Sequence, residues 1–175
     1  MVAKRIVQGV WSGLRPLQEW AAFALMLAVT FLVFIQVILR YVLHHPLMGI
    51  EELLLFPTIW LYFVGGAIAS RERTHIECRV VMMYLKGPVA QHIGNIVKAS
   101  VSLLVCAWLT YWAYEYFRYS LRVWKESGTL FIPLVFAESA MFFGLLLMSL
   151  YTLVELGDYT RSLVQHVRRG RQGEP

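Results

Sequence analysis

The sequence predicts an all-α membrane protein with four transmembrane helices, both termini cytoplasmic, and an interfacial amphipathic helix between spans two and three. Three observations lead there. Hydrophobic residues make up 58% of the 175 and the mean hydropathy is +0.58, well beyond the apolar share of ordinary soluble domains. Four apolar runs lie at about 20–39, 53–69, 99–117 and 130–156, each near the length that crosses a hydrocarbon core of about 30 Å at about 1.5 Å per residue. The basic residues, finally, concentrate on alternate connecting segments. No polar or Pro/Gly-rich linker is long enough to separate two units, so residues 1–175 read as a single domain.

The first run, Trp20 to Leu39, follows Lys4 and Arg5 as a signal peptide would. It is longer than a signal core, lacks a small-x-small cleavage site and closes on Arg40, so it is expected to be retained. The second, Leu53 to Ala69, is short, and Glu51 and Glu52 extend it to headgroup level. The third runs from Ala99 to Phe117. The fourth, Leu130 to Leu156, is long enough to tilt or protrude. Pro57 and Pro133 fall near the starts of spans two and four, where a missing N–H or a mild bend is tolerated.

Orientation follows from the cations. Lys4, Arg5 and Arg15 precede span one; Arg71, Arg73, Arg79, Lys86 and Lys98 separate spans two and three; Arg161, Arg168, Arg169 and Arg171 follow span four. These segments hold twelve of the sixteen Lys and Arg residues, against Arg40, Arg118, Arg122 and Lys125 on the other side. The positive-inside rule places both termini in the cytoplasm. The same alternation explains a pI near 9.4 without nucleic acid, because the charge forms no single patch.

Between spans two and three, Thr74-His75-Ile76-Glu77 fits a capping box and starts a helix over about 75–86, which Lys86-Gly87-Pro88 ends. At about 100° per residue His75, Arg79 and Lys86 share a narrow arc opposite Val80 and Tyr84. That pattern predicts a helix in the cytoplasmic interface with its basic edge, together with Arg71, toward membrane phospholipid. The alternative is a cytosolic extension of span two or three.

Cysteine and histidine usage excludes several membrane enzymes. Cys78 and Cys106 lie at different depths and form no C-x-x-C, which argues against a quinone-coupled disulfide oxidase. His44, His45, His75, His92 and His166 all fall in predicted loops or tails, so no bundle haem is expected. His44-His45 lacks a third metal ligand. No catalytic residue, metal site or cofactor is assigned.

Charges at the span ends are the candidate functional residues. Arg40 closes span one and Glu51-Glu52 open span two, each with the sign that suits its helix dipole. They either pair across the short loop or anchor at the interface; adjacent helical residues diverge by about 100°, so only one glutamate can face Arg40 squarely. Glu115 and Glu138 have three readings: reach to the outer interface, pairing with Arg118, Arg122 or a partner subunit, or ion translocation. Gly65-Gly66-Ala67 with Ala69 and Ser70 makes one end of span two slim enough for close helix approach. Trp11, Trp20, Trp112, Trp124, Tyr41 and Tyr159 stand at belt depths.

With these residues in view, the chain resembles the small membrane subunit, DctQ, of tripartite ATP-independent periplasmic (TRAP) transporters. The resemblance rests on Arg40-Tyr41, Pro46-Leu47, Glu51-Glu52, Trp60, Gly65-Gly66-Ala67, Arg71 and His75-Ile76, in order across about 45 residues. Gly49 stands where that family commonly has Trp, Cys78-Arg79 replaces Val-Asp, and Val135 replaces a frequent aromatic. The resemblance implies a non-catalytic small permease subunit, multi-pass in the bacterial inner membrane. It would pack on a large membrane subunit (DctM-like) through Arg40, Glu51, Glu52, Trp60, Gly65 and Gly66. A periplasmic substrate-binding protein (DctP-like) would deliver an organic acid or similar solute for sodium-coupled symport. The chain's own residues agree: they lack paired broken spans, a visible inverted repeat and a mid-membrane polar cluster. Two other classes stay open. A stand-alone four-span proton-coupled transporter would want a carboxylate deep in span one, where Thr30 and Gln36 stand; a haem-free anchor subunit of a respiratory enzyme is the other.

Overall fold

The structure, a computed structural model, describes residues 2–44, 47–72 and 88–171. Four helices account for nearly all of it: α1 Val2–Tyr41, α2 Met48–Arg71, α3 Pro88–Val123 and α4 Val135–Arg171. Each carries a stretch long and apolar enough to cross a membrane: Leu14–Tyr41, Gly49–Arg71, Ile93–Val123 and Val135–Val164. The 23 residues of the second span about 35 Å at helical rise, which settles the shortness of its apolar run. The expected interfacial helix over 75–86, with His75, Arg79 and Lys86, lies outside the described residues, as does Cys78.

One boundary differs from expectation. The apolar run from Leu130 was read as the start of span four, but α4 begins at Val135. Residues 124–134 instead fold into a closed loop. Ser127 donates its N–H to the Ile132 carbonyl and Leu134 donates to Lys125, both at 2.9 Å, forming an antiparallel bridge between Glu126 and Pro133. Pro133 therefore precedes the helix, and the Leu134 carbonyl accepts the N–H groups of Ala137 and Glu138. Pro57, by contrast, sits inside α2, where Thr58 donates its hydroxyl to the Leu54 carbonyl one turn back.

The helices lie side by side rather than around a common axis. α4 packs on α3 most extensively and next on α2, α2 packs on α1, and among the described residues no comparable packing joins α1 to α3. The spatial order is thus α1, α2, α4, α3. A single layer has little interior: no large side chain is fully buried among the described residues, and the most apolar stretch of α1 has no buried residue at all. Most of what is buried is small. Ala67, Ala99, Ala113, Ala137 and Ala140 line the seams, where small side chains let backbones approach without help from a hydrophobic driving force. Gly144 is the tightest point: a Cβ there would lie 2.5 Å from the Phe63 Cβ. Larger rings fill the wider α3–α4 seam, with Phe117 and Phe142 stacked at 5.5 Å and Tyr114 leaning on Phe142 at 5.8 Å.

Candidate functional site

At the end that carries the short α1–α2 and α3–α4 connections, Glu51 and Glu52 separate as neighbouring helical residues must. Glu51 is exposed and accepts a hydrogen bond from Gln36 Nε2 at 2.8 Å, which ties α1 to α2. Glu52 turns the other way, toward the 124–134 loop. There its carboxylate accepts from the Ser127 hydroxyl, the Thr129 N–H (2.9 and 3.0 Å), the Thr129 hydroxyl (2.8 Å) and the Leu130 N–H (3.0 Å). Such a set of converging donors holds an ionised oxygen pair in place of water. Arg40 is exposed, leans over the Tyr41 ring at 6.0 Å and pairs with neither glutamate among the described residues. The partner that sequence reasoning sought for Glu52 across the short loop is a turn more than seventy positions away.

Trp60 was also expected at a partner interface. Its indole N–H donates to the Phe136 carbonyl in the first turn of α4 at 2.9 Å, a bond internal to the chain. That carbonyl accepts the Ser139 hydroxyl as well, at 2.9 Å. Glu115 pairs with Arg118 at 3.2 Å, one of the readings open for it. Glu138 accepts hydrogen bonds from the Tyr116 hydroxyl at 2.8 Å and from the Ser120 hydroxyl, which joins α3 to α4.

At the opposite end, Arg71 corrects an expectation. Read as lipid-facing, its side chain is only 9% exposed. The guanidinium is drawn inward because α1 offers acceptors one turn into its span: Glu19 at 2.9 Å and Gln18 Oε1 at 3.2 Å, with Glu72 at 3.3 Å beside it. Gln18 Oε1 also accepts the Tyr151 hydroxyl at 3.0 Å. One buried amide thus links α1, α2 and α4. Gln18, Glu19 and Tyr151 were missed in the sequence, where nothing local distinguishes them; so were Ser127 and Thr129, although Ser-Gly-Thr is turn chemistry.

Gly65 and Gly66 divide between two environments. A Cβ on Gly66 would meet Met148 at 3.4 Å, whereas one on Gly65 would meet nothing within 4 Å. Leu61, Tyr62, Gly65, Gly66 and Ala69 line a shallow, largely apolar groove of about 400 Å³. Ala67 and Ser70, on the other flank of the same helix, are buried, and Ser70 lies against Thr152 at 3.5 Å. α2 therefore turns one small-residue edge to α4 and leaves another uncovered.

Fold and site together define a multi-pass α-helical membrane protein whose polar residues clasp its own helices to one another. The sequence profile of the DctQ component of tripartite ATP-independent periplasmic transporters matches residues 29–161, more than half of the chain. The protein belongs to that family; it is a TRAP transporter small subunit and a multi-pass inner-membrane protein. A TRAP transporter small permease protein of Haemophilus influenzae is 29% identical to it over 91 residues, which are 52% of this chain and 55% of the relative. The chain thus spans about half the length of that curated relative.

Proposed function

We propose that this chain is a non-catalytic brace of a sodium-coupled TRAP transporter. It packs on the large membrane subunit and widens the fixed frame against which the transport elements move. In this reading a periplasmic binding protein delivers an organic acid or similar solute, and the large subunit holds both solute and sodium. Both termini lie in the cytoplasm.

The observation that carries the proposal is the single-layer arrangement. A translocation path needs polar groups gathered inside a bundle. Here the helices form a row, and pairs of polar groups in its seams, Thr110 with Ser149 at 2.9 Å and Ser70 with Thr152, satisfy one another. A row with two apolar faces is suited to being covered on one of them. The uncovered edge at Gly65 is the surface on which a partner helix packs most closely.

The test is purification of the tagged chain from native membranes, followed by sodium-dependent uptake in proteoliposomes. Co-purification of a large membrane subunit, and uptake that requires both chains, is the expected result. Sodium-dependent uptake by this chain alone overturns the proposal.

A further inference from the structure

We propose that the α3–α4 loop, residues 124–134, is a membrane-interface anchor whose apolar crown of Trp124, Leu130 and Phe131 seats in the headgroup and upper acyl layer of phospholipid. The inference rests on the membrane-spanning fold and not on the assignment of transport partners.

Depth is the first argument. The loop does not project from the helix ends; it folds sideways onto the first turns of α2. Its tip is held there by the Glu52 carboxylate through Ser127, Thr129 and Leu130. The Leu130 side chain lies against Gly49, where a Cβ would come within 3.0 Å of it. Gly49 begins the segment Gly49–Arg71 that is apolar enough to cross the bilayer. The tip therefore sits level with the end of a span.

Exposure and backbone conformation supply the second argument. Phe131 is 70% exposed and Trp124 50%, so the chain itself leaves half or more of each residue open. Both residues have positive φ, 55° and 48°, a region that bulky L-residues rarely adopt. Trp124 stands just before the bridged part of the loop and Phe131 within it, and both leave their rings exposed. A merely solvated turn would place glycine or asparagine there.

Charge supplies the third. Arg122 and Lys125 flank Trp124 and are exposed, with Glu126 as the acidic neighbour in the loop. Cations beside an aromatic crown match phosphate above acyl chain, the layering of a bilayer surface. The α1–α2 connection adds exposed Tyr41, Val42, Leu43 and Leu47 at the same end.

The test uses the full-length chain, with any subunits that purify with it, in nanodiscs of phosphatidylcholine and phosphatidylglycerol. Cys78→Ser and Cys106→Ser remove the native thiols, and Phe131→Cys carries an environment-sensitive fluorophore. Lipid bearing a nitroxide high on its acyl chain should quench the label and blue-shifted emission should accompany it, while aqueous iodide should quench little. A label at Glu126→Cys should show the reverse. Glu52→Gln, which removes an acceptor oxygen from the clamp, should move the Phe131→Cys label toward iodide. A second measurement leaves the native cysteines in place: Trp124→Phe should lower the share of tryptophan emission that brominated lipid quenches. A Phe131→Cys label reached by iodide and not by nitroxide lipid overturns the proposal. So does one protected from both, because a protein surface then covers the crown.

Discussion

Gly144 and Gly65 are both glycines of apolar helices in one layer, and their surroundings are opposite. At Gly144 the Phe63 side chain fills the space a Cβ would need; at Gly65 that space is open. The first glycine closes the α2–α4 seam within the chain. The second leaves an approach to the chain. In a membrane, where burying apolar surface against lipid gains little, a small residue marks close contact but does not say with what.

Substitutions that test this contrast differ in size. The largest expected effect is Gly144→Leu, which drives a branched side chain into Phe63. Overpacking of this kind costs about 1–3 kcal/mol, with the upper end expected here, and thermal unfolding of the isolated subunit in detergent measures it. A wild-type melting point would remove Gly144 from the seam. Arg71→Ala comes next at about 2 kcal/mol, since charged hydrogen bonds to Gln18 and Glu19 are lost together. Arg71→Lys should recover only part of it, because an ammonium cannot span both acceptors as a planar fork does. Trp60→Phe removes a single indole bond and should lower stability by about 0.6–1 kcal/mol. Arg118→Ala, breaking an exposed pair with Glu115, should change unfolding by less than about 0.5 kcal/mol. A loss there as large as that of Arg71→Ala would mean the pair is structural.

The spans were legible because length and composition report the solvent, and every one of the four was found. Conformation within an apolar stretch was not legible. Leu130-Phe131-Ile132 reads as the start of a helix, yet these residues form a bridged loop, since hydrophobicity is the same in a helix and in an interfacial turn. Pro133 was the available signal, because a helix commonly starts just after such a residue. Glu52 was singled out for a partner, whereas its hydrogen bonds within the chain go to a turn far along the sequence. Arg71 was assigned to lipid together with the basic edge expected over 75–86; its burial depends on α1 residues with no sequence relation to it. Gly144 was missed although Ala140-x-x-x-Gly144 is a small-x-x-x-small pattern, and Gly66 proved to face Met148.

The central claim, that the uncovered edge of α2 receives a partner subunit, is tested most directly by Gly65→Leu. The measurement is the yield of large subunit recovered with the tagged chain, alongside the melting point of the chain alone. The account predicts that the stability read from the melting transition stays within about 0.5 kcal/mol of wild type, because a side chain there meets nothing of this protein, while recovery of the large subunit collapses. Recovery equal to wild type would contradict it.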